Sequence, residues 1–396
     1  MLYRTQGKDT ELSLLGYGCM RFSKKGGRID QEKTERELAR ALELGVNYFD
    51  TAYIYPGCEE ALGLFAAKND NRSRMLIATK MPHYTCKTID DYERIFNEQL
   101  ERLKTDYIDY YLIHMLTSID SWNRCVSMGV PEWIEQKKRE GKIRRIGFSY
   151  HGGREDFKRI CDAYDWEFTQ IQLNYLDAGA QAGTEGLLYA ASRGLPVIIM
   201  EPLRGGRLAS GLAPAAKQVF EQYDILHDTH TSLAAWGLQW LFNLPEVTCV
   251  LSGMNDIAQV EENCALASTV EAGSLSEDVL DVYECAIEEI RKTEKVGCTG
   301  CGYCLPCPMG IDIPTCFRCY NTRASEGWFP AMWGYIQSTA LTAKPKNAGL
   351  CIGCGKCAKH CPQHIDIPTE MKNAAKALEN PIFKLVKRFK GVYWKS

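Results

Sequence analysis

Between residues 14 and 266 the chain alternates short runs of apolar residues with longer stretches in which apolar positions recur at helical spacing. The short runs predict strands at 14–20, 48–51, 75–79, 108–113, 143–149, 168–173, 197–200 and 248–251. The amphipathic stretches predict helices at 31–43, 90–103, 132–140, 155–163, 184–192, 231–242 and 257–267. Strand then helix, repeated about eight times in roughly 250 residues, predicts an α/β fold of the (β/α)8 TIM-barrel kind. A doubly wound sheet competes, but no G-x-G-x-x-G follows the first strand. Residues 1–13 read as a hairpin capping the barrel floor. The barrel is expected over 1–273, followed by an acidic amphipathic connecting helix at 274–294. A helical, ferredoxin-like module is expected over 295–396, ending in a basic, aromatic tail. That tail reads first as a solvated surface segment, and second as a docking patch for an acidic electron carrier.

The C-terminal module carries two cysteine ladders. Cys298, Cys301, Cys304 and Cys307-Pro308 lead into Ile-Asp-Ile-Pro314-Thr315, and Cys351, Cys354, Cys357 and Cys361-Pro362 into Ile-Asp-Ile-Pro368-Thr369. Cysteine at every third position followed by Cys-Pro is the spacing that ligates a [4Fe–4S] cubane, so two clusters are expected. Zinc sites pair C-x-x-C units across a longer spacer instead. In two-cluster ferredoxins the fourth cysteine crosses to the other cluster. That logic groups Cys298, Cys301 and Cys304 with Cys361, and Cys351, Cys354 and Cys357 with Cys307. The first ladder is one residue shorter before its Cys-Pro, which makes Cys307 the loosest assignment. Cys316 and Cys319 read as helix positions more readily than as spare ligands.

Composition narrows the setting. A net charge of −3 gives no reason to expect nucleic-acid binding. No apolar run reaches the roughly 18 residues of a membrane span. Eighteen cysteines without a secretory leader point to a reducing cytoplasm.

Catalytic groups of such barrels sit at the C-terminal ends of strands. Asp50 ends the second predicted strand, with Tyr55 in the loop beyond it. Lys80 ends the third and His114 the fourth. An ammonium beside a tyrosine lowers its pKa, and a buried aspartate keeps that lysine charged, giving a general acid for a carbonyl oxygen. Singly, Asp50 could cap a loop, Lys80 be a rim charge and His114 a core histidine. Together they point to one site. The loop after His114 is expected to place Trp122 at the substrate pocket. Cys58 reads as a loop cysteine that could also line it.

Phe49-Asp50-Thr51-Ala52-x-x-Tyr55, Ala78-Thr79-Lys80 and Leu112-Ile113-His114 resemble the aldo-keto reductases across the barrel. The resemblance implies that Tyr55 is the acid, Asp50 and Lys80 its tuners, and His114 the orienter of a small carbonyl substrate. It further implies an NAD(P)H site. Ser149 and Gln172 would touch the nicotinamide amide, and Pro202 and Leu203 the pyrophosphate. Ser252, Gly253, Met254, Glu262 and Asn263 would form the adenosine end. Tyr150 replaces an Asn, Met200 a ring-stacking Tyr, and Gln259 an Arg that grips the 2′-phosphate, which leaves NADH open beside NADPH, although Arg204 and Arg207 could contribute to that grip. Barrel plus ladders resembles the prokaryotic subgroup with a C-terminal two-cluster domain.

Three functions remain on sequence grounds. The first is a nicotinamide-dependent carbonyl oxidoreductase whose clusters relay electrons to a ferredoxin or similar carrier. The second is a cluster-driven one-electron reductase fed by ferredoxin without nicotinamide. The third is a non-enzymatic redox sensor, for which a tuned acid is superfluous.

Overall fold

The computed structural model describes residues 1–5, 11–298, 304–325, 327–340, 344–361, 363 and 365–393, with the backbone alone for 337 and 388–393. The chain forms two compact units, one of residues 1–205 and 234–275, the other of 206–233 and 276–396.

The first unit is a closed barrel of eight parallel strands arranged in chain order. They are β1 (Leu15–Gly18), β2 (Tyr48–Asp50), β3 (Leu76–Met81), β4 (Ile108–Leu116), β5 (Ile143–Tyr150), β6 (Phe168–Gln172), β7 (Val197–Met200) and β8 (Val247–Ser252). Closure comes from β8 against β1, with Leu251 opposite Gly16 and Ser252 opposite Tyr17. Alternate residues face opposite ways. Tyr48, Tyr110, Phe168, Ile198, Cys249 and Leu251 fill the interior. Phe49, Ile77, Tyr111, Ile113, Ile171 and Ile199 pack outward under the helices. Edge-to-face contacts of Tyr110 with Tyr48 (5.1 Å) and Phe168 (5.0 Å) floor the site. Gly16 makes room for them: a Cβ there would lie 2.8 Å from Cys249 Sγ and 2.9 Å from Leu251 Cδ2.

Below, Tyr3–Arg4 pairs antiparallel with Leu12–Ser13. The Arg4 guanidinium donates to the carbonyls of Phe242, Leu244 and Val247, so this hairpin does lie at the N-terminal rim. Strands β3 and β4 run further than expected, carrying Lys80 and His114 inside them. The stretch after β4 is no loop. Ser118 caps a helix, Ile119–Ser127, and Trp122 packs its ring 4.7 Å from Trp166 outside the barrel. Trp122 is therefore core rather than pocket wall. Helix Cys58–Ala66 was also unforeseen; it starts at Gly57 and buries Cys58. Among the described residues no helix is long and apolar enough to cross a membrane.

In the second unit, Pro214–His227 packs on Glu277–Thr293, with Phe220 edge-on to Tyr283. Helices Ile313–Ser325, Trp328–Tyr335, Ile367–Leu378 and Pro381–Tyr393 complete it. The repeated Ile-Asp-Ile-Pro-Thr is a helix start. The Asp312 carboxylate accepts from Thr315 N–H at 3.2 Å, and that of Asp366 from Thr369 N–H at 3.4 Å. Each aspartate caps its helix, and each proline fills a first-turn position that needs no N–H.

Candidate active site and thiol ladders

Parity along the strands collects the polar groups. Inward positions near the C-terminal strand ends are Asp50 on β2, Lys80 on β3, His114 on β4, Ser149 on β5, Gln170 and Gln172 on β6, and Met200 on β7. Lys80 Nζ donates to Asp50 Oδ1 at 2.5 Å and to the Thr51 carbonyl at 2.8 Å. Gln170, which the sequence did not single out, donates to Asp50 Oδ2 at 3.4 Å. Period-two spacing from Gln172 would have found it.

Tyr55 is carried by the turn between β2 and Cys58–Ala66, its N–H bonded to the Ala52 carbonyl. Lys80 Nζ lies 5.4 Å from the centre of its ring, and His114 stands edge-on at 6.3 Å. The four residues do converge. Burial, followed by the Asp50 and Glu201 carboxylates, holds the Tyr55 phenol above its ordinary value. The sequence led us to expect the opposite. The ammonium is committed to Asp50 and Thr51, so its field at the phenol is largely neutralised. Burial pushes the Asp50 carboxyl up against the pull of Lys80. Burial, with Lys80 adding to it, keeps His114 neutral, and its Nδ1 has no hydrogen-bond partner.

His114 is aimed by a bulge. Register shifts between Ile113 and Leu116, and Met115 takes a left-handed φ of 60°. Ser149 Oγ accepts from Met115 N–H at 2.8 Å, and His83 Nε2 lies 3.5 Å from the Met115 carbonyl. His151 follows β5, its N–H bonded to the Leu116 carbonyl. Burial draws His83 and His151 down to about 4. Neither was anticipated, because no motif marks them.

The residues expected at a dinucleotide fall into two groups. Ser149 and Gln172 face inward, beside half-buried Met200. Gln172 bonds Asp177 at 3.3 Å and accepts from Gln181 at 2.6 Å, each of its amide atoms retaining further capacity. Gln170 Oε1 is buried without a partner, so the site has polar capacity left for an amide or hydroxyl ligand. Tyr150 points away, donating to the Gly153 carbonyl. Pro202 is buried, and Leu203 packs against Gly237, so their backbone is what remains for a pyrophosphate. At β8, Asn263 donates to Ser252 Oγ at 3.2 Å, and Gln259 Oε1 accepts from Asn255 N–H. The Met254 side chain is core, whereas Gly253 and Glu262 are exposed. Arg21, missed in the sequence, lies over Gly253 and beside Gly205, supplying a cation at that rim.

In the second unit a small cavity is lined by Cys307, Cys351, Cys354 and Cys357, floored by Ile311 and Met371. Gly353 and Gly355, at φ of 71° and 69°, supply the left-handed turns between these cysteines. Tyr335, Asn347 and Gly349 all bond to Glu379 Oε1, which pins the segment leading into Cys351. Four thiols around an apolar cavity are the donor chemistry that a cubane takes, and Cys307 of the first ladder lines it with three thiols of the second. Of the other set, Cys298, Cys304 and Cys361 pack against the same helical core, while Cys301 lies outside the described residues. Cys316 and Cys319 are buried in that core, not at the cavity.

Residues 14–277 match the model of the aldo/keto reductase family, and residues 297–365 that of a 4Fe-4S dicluster domain. The L-galactose dehydrogenase of Arabidopsis thaliana is 29% identical over 301 residues, covering 71% of this chain and 92% of that protein. The methylglyoxal reductase YeaE of Escherichia coli is 29% identical over 295 residues, with 69% and 91% covered. The holo form of aldo-keto reductase AKR11C1 from Bacillus halodurans superposes with a TM-score of 0.58 at 25% identity, covering 72% and 96%.

Proposed function

The chain belongs to the aldo/keto reductase family of oxidoreductases and carries a 4Fe-4S domain; from that premise we propose that its barrel interconverts a small carbonyl compound and its alcohol with NAD(P)H. The observation that carries the reading is the sealed Lys80–Asp50 pair beneath Tyr55, with neutral His114 edge-on to the same ring.

A nicotinamide, when bound, supplies or accepts hydride at the substrate carbon. The protein's part is the proton at oxygen. Tyr55 carries its proton at neutral pH, as an ordinary phenol with a pKa of about 10 does, and its place between Lys80 and His114 sets it to donate to a carbonyl oxygen. Lys80, held by Asp50 and the Thr51 carbonyl, fixes the polar floor beneath the phenol, and only the part of its field that Asp50 does not cancel favours the phenolate left behind. Neutral His114 orients the carbonyl with a ring N–H. Ser149 and Gln172 would hold the carboxamide, and Arg21 would serve the phosphates. The amide of Gln259 offers no cation to a 2′-phosphate, which supports use of NADH beside NADPH.

Relatives named for L-galactose and methylglyoxal support a small, oxygen-rich carbonyl as substrate. The buried, unpartnered amide oxygen of Gln170 supports it too. Two cubanes, one on Cys298, Cys301, Cys304 and Cys361 and one on Cys351, Cys354, Cys357 and Cys307, would exchange single electrons with a carrier in a reducing cytoplasm.

Isotope tracing tests this reading. Holo-protein kept anaerobic receives 4-deuterated NADH or NADPH and a panel of hydroxylated and 2-oxo carbonyls. Deuterium on the product's carbinol carbon is the expected result. Product formed without deuterium, and only with reduced ferredoxin present, would replace hydride transfer by the one-electron route.

A further inference from the structure

Charge is segregated along this chain. Residues 297–396 hold 13 Lys and Arg against 5 Asp and Glu, a net of +8, so within a whole-chain charge of −3 residues 1–296 carry −11. Three of these cations flank the second ladder. Lys356 lies between Cys354 and Cys357, Lys359 two residues beyond, and Lys372 directly after Met371 of the cavity floor. All three are exposed, and none forms an ion pair among the described residues. The nearby acids are Asp366, occupied as a helix cap, and Glu370.

The same rim is apolar at its centre. Cys354 is exposed, with Ile352 66% and Met309 41% accessible beside it. Exposed apolar residues ringed by like charges make a surface for an oppositely charged partner. Resting on the reading that this cavity holds a cubane, we propose that the face around Cys354, Ile352, Met309, Lys356, Lys359 and Lys372 docks an acidic one-electron iron–sulfur carrier. Each docking event moves one electron: the carrier's centre is oxidised by one and the centre held by Cys307, Cys351, Cys354 and Cys357 is reduced by one, with no proton transferred. The geometry points to this rim because it adjoins the thiols. Tunnelling partners must come close, and Cys354 is the exposed thiol among the described ladder cysteines.

The test uses anaerobic holo-protein and a reduced plant-type [2Fe–2S] ferredoxin as the acidic probe, with dithionite as a reductant that needs no docking. Bleaching is followed by stopped flow at low and moderate salt. The ferredoxin rate constant should fall about tenfold as salt rises, and about tenfold again in K356E/K359E, with dithionite reduction unchanged. The milder K356A/K359A should lie between. Chemical cross-linking to oxidised ferredoxin should weaken in parallel. Unchanged ferredoxin kinetics in both variants, or a loss confined to K384E/K387E in the tail, would overturn the proposal. Iron content near that of a two-cubane protein in every variant shows that the clusters survive. A wild-type protein without iron would instead sink the cluster reading on which the proposal rests.

Discussion

Lys80 Nζ stands 2.5 Å from Asp50 Oδ1 inside the barrel, with side-chain exposures of 2% and 5%. Such a pair stabilises little over apolar replacements, yet breaking it leaves a buried charge. Asp50→Asn or Lys80→Met alone should cost about 3–5 kcal/mol in urea unfolding, whereas the double variant Asp50→Leu/Lys80→Met should recover much of that loss. Turnover should stay lost in all three. Additive destabilisation in the double variant would show that the two side chains do not act as a pair.

The bulge at Met115 makes a second prediction. Ser149 Oγ is the acceptor for Met115 N–H, one residue from His114. Ser149→Ala leaves that buried donor unsatisfied, for about 1–3 kcal/mol of stability, and lets His114 drift. Ser149→Thr keeps the hydroxyl and should restore both stability and kcat. Equal loss in Ala and Thr variants would remove the bulge from the account.

The interior layer is a third case. Gly16→Ala would thrust a methyl against Cys249 and Leu251 and should cost about 1–3 kcal/mol. Adding Cys249→Ala removes the closest atom, and thermal melts should show partial rescue. No rescue would mean that the strain is taken up elsewhere.

These particulars show what the sequence made legible. The eight strands were visible because each apolar run is short and bounded by polar or glycine-rich segments. Asp50, Lys80 and His114 were visible because chemistry concentrates at strand ends. Gln170 was hidden by treating each strand end as one residue deep, although its parity with Gln172 places it on the same face. Trp122 misled for a different reason. Buried Ile119, Trp122 and Cys125 follow helical spacing behind a serine cap, a pattern too short to stand out from a loop. The sign of the Tyr55 shift was beyond the sequence, since it depends first on how deeply the phenol is buried and then on the Asp50 and Glu201 carboxylates.

Acid sensitivity provides a fourth prediction. His83 is 3% exposed and drawn down to about 4 by burial, against about 6.5 in an unfolded chain. Below pH 6.5 the unfolded chain takes up a proton that the folded one refuses. The His83 contribution is therefore intact above about pH 6.5 and lost progressively between about 6.5 and 4. Buried carboxyls with raised values, Glu59 among them, oppose this trend, so the informative quantity is a difference. His83→Gln should lose less thermal stability than the parent between pH 6.5 and 4.5. Parallel curves would contradict the assignment.

The central claim is that Tyr55 delivers the proton to the substrate oxygen. Its most direct test is Tyr55→Phe in anaerobic holo-protein, with nicotinamide binding and carbonyl turnover measured on the same sample. Turnover should fall about 10²–10⁴-fold while the dissociation constant for the nicotinamide changes by less than about twofold. Turnover within about threefold of the parent would contradict the account and move the acid to another group, with His114 and His151 next in line.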